Sequence, residues 1–135
     1  MKIKKILEQD KVTLSFEVFP PKKKDSIETV TAAAEKIAAL KPDFMSITYG
    51  AAGTTAGFTA EIAESLKNDT GTIVLPHLTC IASTREHVDN MLKLYQEKNI
   101  ENIMVLRGDM PKDGVICRDF PHASDLIGYI KQKTD

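Results

Sequence analysis

Apolar and polar residues alternate near the start of the chain. Val12, Leu14, Phe16 and Val18 are apolar, and Thr13, Ser15 and Glu17 between them are polar. A period of two is that of a strand. Pro20-Pro21 cannot donate to a ladder and ends it, so a first strand is predicted over about residues 12–19. Ahead of it, Ile3, Ile6 and Leu7 share one side of a short helix at about 2–9.

The period then lengthens. Ile27, Val30, Ala34, Ile37 and Ala38 recur at helical spacing to about residue 40, behind Asp25-Ser26-Ile27-Glu28, an N-cap followed by an acidic first turn. Lys41-Pro42-Asp43 breaks this helix. Residues 44–49 read as a second strand ended by Gly50, and a small-residue loop runs from Gly50 to Gly57. A helix at about 58–68 follows, through Ile62 and Leu66, closed by Asp69-Thr70-Gly71. Residues 73–79 form a third strand containing Pro76, and Ser83-Thr84-Arg85-Glu86 is a capping box for a helix carrying Val88, Met91, Leu92 and Tyr95 to about residue 97. Residues 102–106 are nearly all apolar, as in a strand covered on both faces. A loop rich in Pro, Gly and Asp leads to a last helix opened by Ser124-Asp125-Leu126.

Strand and helix alternate four times, which predicts an α/β fold of four consecutive parallel βα units. Glu17, Thr48, His77 and Arg107 stand at the strand ends about 30 residues apart, the length of one such unit. In parallel βα folds the strand C-termini form the working face, so these four side chains are expected on one face. An eight-unit barrel needs about 250 residues. At 135 residues the chain is expected to be a single partial domain over 1–135, half of a (β/α)8 TIM barrel. It is either an open four-stranded sheet or the front half of a longer protein.

Composition narrows the partners. A formal net charge of −1 gives no electrostatic reason to expect nucleic acid or an anionic membrane. No apolar run approaches the ~20 residues of a membrane span, and the basic N-terminus lacks the apolar core of a signal peptide. Cys80 and Cys117 are isolated thiols, so a reduced, cytoplasmic protein without a disulfide or metal site is expected.

The candidate chemistry lies at the strand ends. Glu17 stands between Phe16 and Phe19 beside the double proline. Aromatic surroundings disfavour the charged form of a carboxylate, which suits a general acid near neutral pH; the alternative is a solvated glutamate. His77 is either a packed, hydrogen-bonded histidine or a site residue, with no acidic residues near it at metal-ligand spacing. Arg107-Gly108-Asp109 offers a fork of donors, a glycine that lets a ligand approach the backbone, and an acceptor; its alternative is a surface ion pair. The Gly50–Gly57 loop lacks a GxGxxG fingerprint and is either a backbone cradle or a connector. Lys22–Lys24 is a solvated run or an anion attractor. His122 and Cys80 receive no role.

Ser15-Phe16-Glu17-Val18-Phe19-Pro20-Pro21, Ser46-Ile47-Thr48-Tyr49-Gly50-Ala51, Pro76-His77-Leu78-Thr79-Cys80 and Leu106-Arg107-Gly108-Asp109 together resemble the methylenetetrahydrofolate reductase family in its bacterial form. The likeness spans about residues 12–128, the front half of that family's β/α barrel. It implies noncovalent FAD, reduced by NADH or NADPH, which in turn reduces 5,10-methylenetetrahydrofolate to 5-methyltetrahydrofolate. Glu17 matches the family's acid, which helps open the folate's five-membered ring to an iminium. Thr48, Tyr49, Ala51, His77, Arg107, Gly108 and Asp109 match positions around the flavin, with Asp109 near both flavin and folate and therefore placed with Glu17 as catalytic. Ala123 matches a further FAD contact. The family often has Tyr where this chain has His122.

The resemblance covers half a barrel, so weak FAD binding and poor turnover are expected unless two copies pair as a homo-oligomer or a second segment completes the wall. The other readings are a non-catalytic half-barrel module that pairs with another chain, and a phosphate-binding lyase using Arg107. The latter lacks a lysine at any strand end.

Overall fold

A computed structural model describes residues 1–50, 55–111 and 114–134. Four strands, β1 (Ser15–Val18), β2 (Phe44–Ile47), β3 (Val74–Thr79) and β4 (Met104–Leu106), lie in the order β1-β2-β3-β4, and every neighbouring pair is parallel. Helices α1 (Ile3–Leu7), α2 (Ile27–Ala38), α3 (Ala56–Thr70), α4 (Arg85–Glu97) and α5 (Ala123–Lys133) surround them. Strands joined in parallel order through helices are the expected α/β arrangement, four staves of a β/α barrel.

Alternate strand residues go to different layers. Val18, Met45, Ile47, Val74 and Leu78 pack with Ala34, Ile62, Leu66, Val88 and Leu126 in the main core beneath α2–α5. Leu75, Phe44 and Ile73 have the opposite parity and pack instead against Ile3 and Ile6 of α1. The sheet therefore has a helix-covered outer face and an inner face whose lower end α1 closes.

Several boundaries move from their sequence expectations. β1 begins at Ser15 rather than near 12, and Val12 is 95% exposed. The alternation outruns the ladder because pairing stops where Asp43 meets Leu14: the Leu14 N–H donates to the Asp43 carboxylate, which also binds Lys11. β4 begins at Met104 rather than 102. Pro76 explains this. Cys80 N–H donates to Leu106 C=O, so by the alternation of a parallel ladder Leu78 and Pro76 also face β4, and Pro76 has no N–H to give.

Helix starts differ too. Lys24–Ser26 forms a 3-10 turn, and no side chain caps the start of α2. Thr84, not Ser83, caps α4, accepting from His87 N–H at 3.1 Å, while Ser83 Oγ donates to Thr79 C=O. α3 runs longer than expected, to Thr70, and Gly71 ends it at φ +70°.

Candidate active site at the strand C-termini

Glu17 sits in register with Ser46, and Ser46 with Leu75, so these three occupy one row of the inner face. Ser46 Oγ donates to Glu17 Oε2 at 2.9 Å. His77, two residues beyond Leu75 on the same face, brings Nε2 to 3.5 Å from that same oxygen. His77 is 6% exposed, and its Nε2 has no hydrogen-bond partner among the described residues. Burial lowers the imidazole below its ordinary range, and the Glu17 carboxylate opposes this more weakly.

The expected aromatic enclosure of Glu17 is not found. Phe16 packs toward the helix-covered core, Phe19 is 69% exposed, and the glutamate side chain is 45% exposed. For Phe16 strand parity is the reason, since immediate neighbours of Glu17 point to the other face, whereas Phe19 follows the end of β1 and lies in solvent. The surroundings of the carboxylate are a hydroxyl and an imidazole from β2 and β3.

Thr48 follows β2 with its N–H on Val18 C=O, and its own C=O accepts from Thr59 Oγ1 of α3. Tyr49 turns the other way. Its ring is buried in the helix-side core, and its hydroxyl lies 2.6 Å from His87 Nε2 of α4. Burial raises the Tyr49 hydroxyl and lowers His87. Any contact of Tyr49 with a ligand on the inner face runs through its backbone. Ala51 lies outside the described residues.

The loop after β4 is tied to the loop after β3. Ile81 N–H donates to Arg107 C=O, Cys117 N–H to Ile81 C=O, and Arg85 N–H to the Asp119 carboxylate. Gly108 has φ +83°, and a Cβ there would lie 2.8 Å from Thr79 Cβ, so only glycine fits against β3. The side chains of Arg107 and Asp109 are exposed and make no ion pair among the described residues. Ala123 is the first residue of α5, behind His122, whose backbone N–H is held by Asp125 at 2.9 Å.

Glu17, Thr48, Tyr49, His77, Arg107, Gly108 and Asp109 lie in the last residues of parallel strands or just beyond them, Ala123 opens α5, and Glu17 and His77 meet. Ser46 went unassigned in the sequence reading. Its signal was parity: it stands two residues before Thr48 and so shares that residue's face. No group of three or more His, Cys, Asp or Glu side chains among the described residues could hold a metal, and no helix among them is long and apolar enough to cross a membrane.

The fold and the polar row at its strand ends define a β/α-barrel architecture of four units. The methylenetetrahydrofolate reductase family model matches residues 2–135, and the chain belongs to that family. It is 37% identical over 127 residues to the 5,10-methylenetetrahydrofolate reductase of Pectobacterium carotovorum, covering 94% of this chain and 42% of that protein. It is 36% identical over 136 residues to methylenetetrahydrofolate reductase (NADH) 1 of Arabidopsis thaliana, covering 98% of this chain and 23% of that one. The Escherichia coli enzyme is 34% identical over 127 residues, with coverage of 94% and 42%. The chain thus spans less than half the length of these relatives.

Proposed function

We propose that the chain contributes the acid side of an FAD-dependent reduction of 5,10-methylenetetrahydrofolate to 5-methyltetrahydrofolate in the cytoplasm. The observation that carries this reading is the Glu17 carboxyl, exposed on the inner face and held by Ser46 at 2.9 Å. A carboxyl fixed at a strand end and open to a ligand is what proton donation to a bound substrate needs. Glu17 passes its proton to a nitrogen of the folate's five-membered ring. The carbon–nitrogen bond breaks, its electron pair stays on that nitrogen, and the methylene carbon becomes an iminium ready for hydride.

FAD, when bound, supplies that hydride after taking it from a reduced nicotinamide. The Arabidopsis relative carries NADH in its name, and NADPH is the alternative donor. The residues fit a flavin. The buried His77 Nε2 lacks a partner on the inner face, as a site for a polar ring edge requires. Gly108 lets the loop pack directly on Thr79 and so fixes Arg107 and Asp109 on either side of it at the end of β3. Thr48, His77, Arg107, Gly108, Asp109 and Ala123, with Tyr49 and Ala51 through the backbone, would hold it. Asp109, exposed on the same loop, would set the charge beside the ring.

Leu14, just before β1, and Met104 and Leu106 of β4 leave apolar side chains exposed at the two edges of the sheet, which favours completion of the wall by a second copy or segment. The experiment is flavin absorbance in purified protein, its bleaching by NADH, and its recovery on adding methylenetetrahydrofolate. Bound flavin that bleaches and recovers supports the reading, and colourless protein that takes up no added FAD overturns it. Size-exclusion chromatography of the same sample reports whether copies pair.

A further inference from the structure

We infer that Ser46 is the positioning residue of the proton donor, fixing Glu17 through Oε2 in both protonation states so that Oε1 delivers the proton. The inference rests on the function proposed above. Three observations support it. Ser46 Oγ is 2.9 Å from Oε2 and makes no other side-chain hydrogen bond among the described residues. Ser46 is buried while Glu17 is exposed, so the serine is the fixed partner and the glutamate the mobile one. His77 Nε2 faces the same Oε2 at 3.5 Å, which leaves Oε1 without a hydrogen bond among the described residues.

The residue type matters. A lysine in place of Ser46 would favour the carboxylate and oppose its protonation. A hydroxyl both donates and accepts. Ser46 donates to Oε2 when Glu17 is ionised, and still does so when the proton sits on Oε1, because Oε2 is then the carbonyl oxygen. The carboxyl therefore keeps one orientation as it loses and regains its proton, and a proton carried on Oε1 faces the ligand. Holding a reacting group in place through the cycle is what lowers its entropic cost. His77 cannot do this alone, since its Nε2 stands 3.5 Å from Oε2 and makes no hydrogen bond to it.

Ser46→Ala removes the hydroxyl, and Ser46→Cys keeps the volume with a weak donor and acceptor. Both are compared with the parent protein in two half-reactions: bleaching of bound flavin by NADH, and its recovery by methylenetetrahydrofolate. The second should slow about tenfold in both variants, as for a lost hydrogen bond to a charged group, while the first stays unchanged. In protein without flavin, the carboxyl 13C resonance of Glu17, identified by its loss in Glu17→Gln, should move in both variants. A role in packing alone would leave Ser46→Cys like the parent in rate and resonance, and that result overturns the inference, as does a slowdown shared by both half-reactions. A parent protein that never reduces the folate overturns the proposed function instead, with the Glu17 resonance still reporting on the Ser46 contact.

Discussion

Glu17 and Ser46 are direct register partners across β1 and β2, and their side chains meet at 2.9 Å on the face away from helices α2–α5. Glu17→Gln keeps the shape and a hydrogen bond to Ser46 but has no acidic proton. Reduction of methylenetetrahydrofolate should fall by about a hundredfold or more, with flavin bleaching by NADH little changed. Stopped-flow measurement of the two half-reactions checks this, and an equal loss in both would contradict the assignment.

Gly108→Ala should destabilise the fold by about 1–3 kcal/mol, from a positive φ and a clash with Thr79. Thr79→Ala should not rescue it, because the nearest atom is the Thr79 Cβ itself, which alanine retains. Urea denaturation of the single and double variants measures both statements.

Two tyrosines in the helix layer should respond oppositely to losing their hydroxyls. Tyr95 is buried and its hydroxyl has no partner among the described residues, so Tyr95→Phe should be neutral or stabilising by up to about 1 kcal/mol. Tyr49→Phe strips the partner from His87 and should cost about 1 kcal/mol. Thermal midpoints of the pair provide the comparison.

Acid should weaken the fold before its carboxylates titrate. Burial lowers His77 and His87 from the ordinary 6.5. Between the lowered value and 6.5 the unfolded chain binds more protons than the folded one, so stability rises with pH across that window. It is fully present above about pH 6.5 and declines as the pH falls toward 5. Asp43 and Asp89, held down by Lys11 and Lys133, add their losses only as the pH drops further, toward 3.8 and below. The urea midpoint should be lower at pH 5 than at pH 7.5, and less so in His77→Asn; equal midpoints in the parent protein would count against buried neutral imidazoles.

The periodicities read from the sequence locate all four strands and the helices between them, because apolar spacing records which face each element buries. Ends were less legible. The alternation through Val12 continues past the ladder, and the apolar run before Met104 continues past the hydrogen bonds that Pro76 withholds. Both boundaries depend on a neighbouring strand rather than on local spacing. The same holds at the site. Glu17 and His77 could be singled out as strand-end residues, but the link between them is a serine whose importance lies only in its register. Phe16, adjacent to Glu17 in sequence, contributes nothing to its surroundings because a pleated strand sends neighbours apart, and Phe19, past the end of β1, is exposed.

The helix at the start of the chain, resting on Leu75 through Ile3 and Ile6, sets a depth limit. Leu75 shares its row with Ser46 and Glu17, so a molecule descending from the strand tips meets the carboxyl at the last level before an apolar stopper. The carboxyl therefore stands at the level where the polar part of the inner face ends and its apolar floor begins.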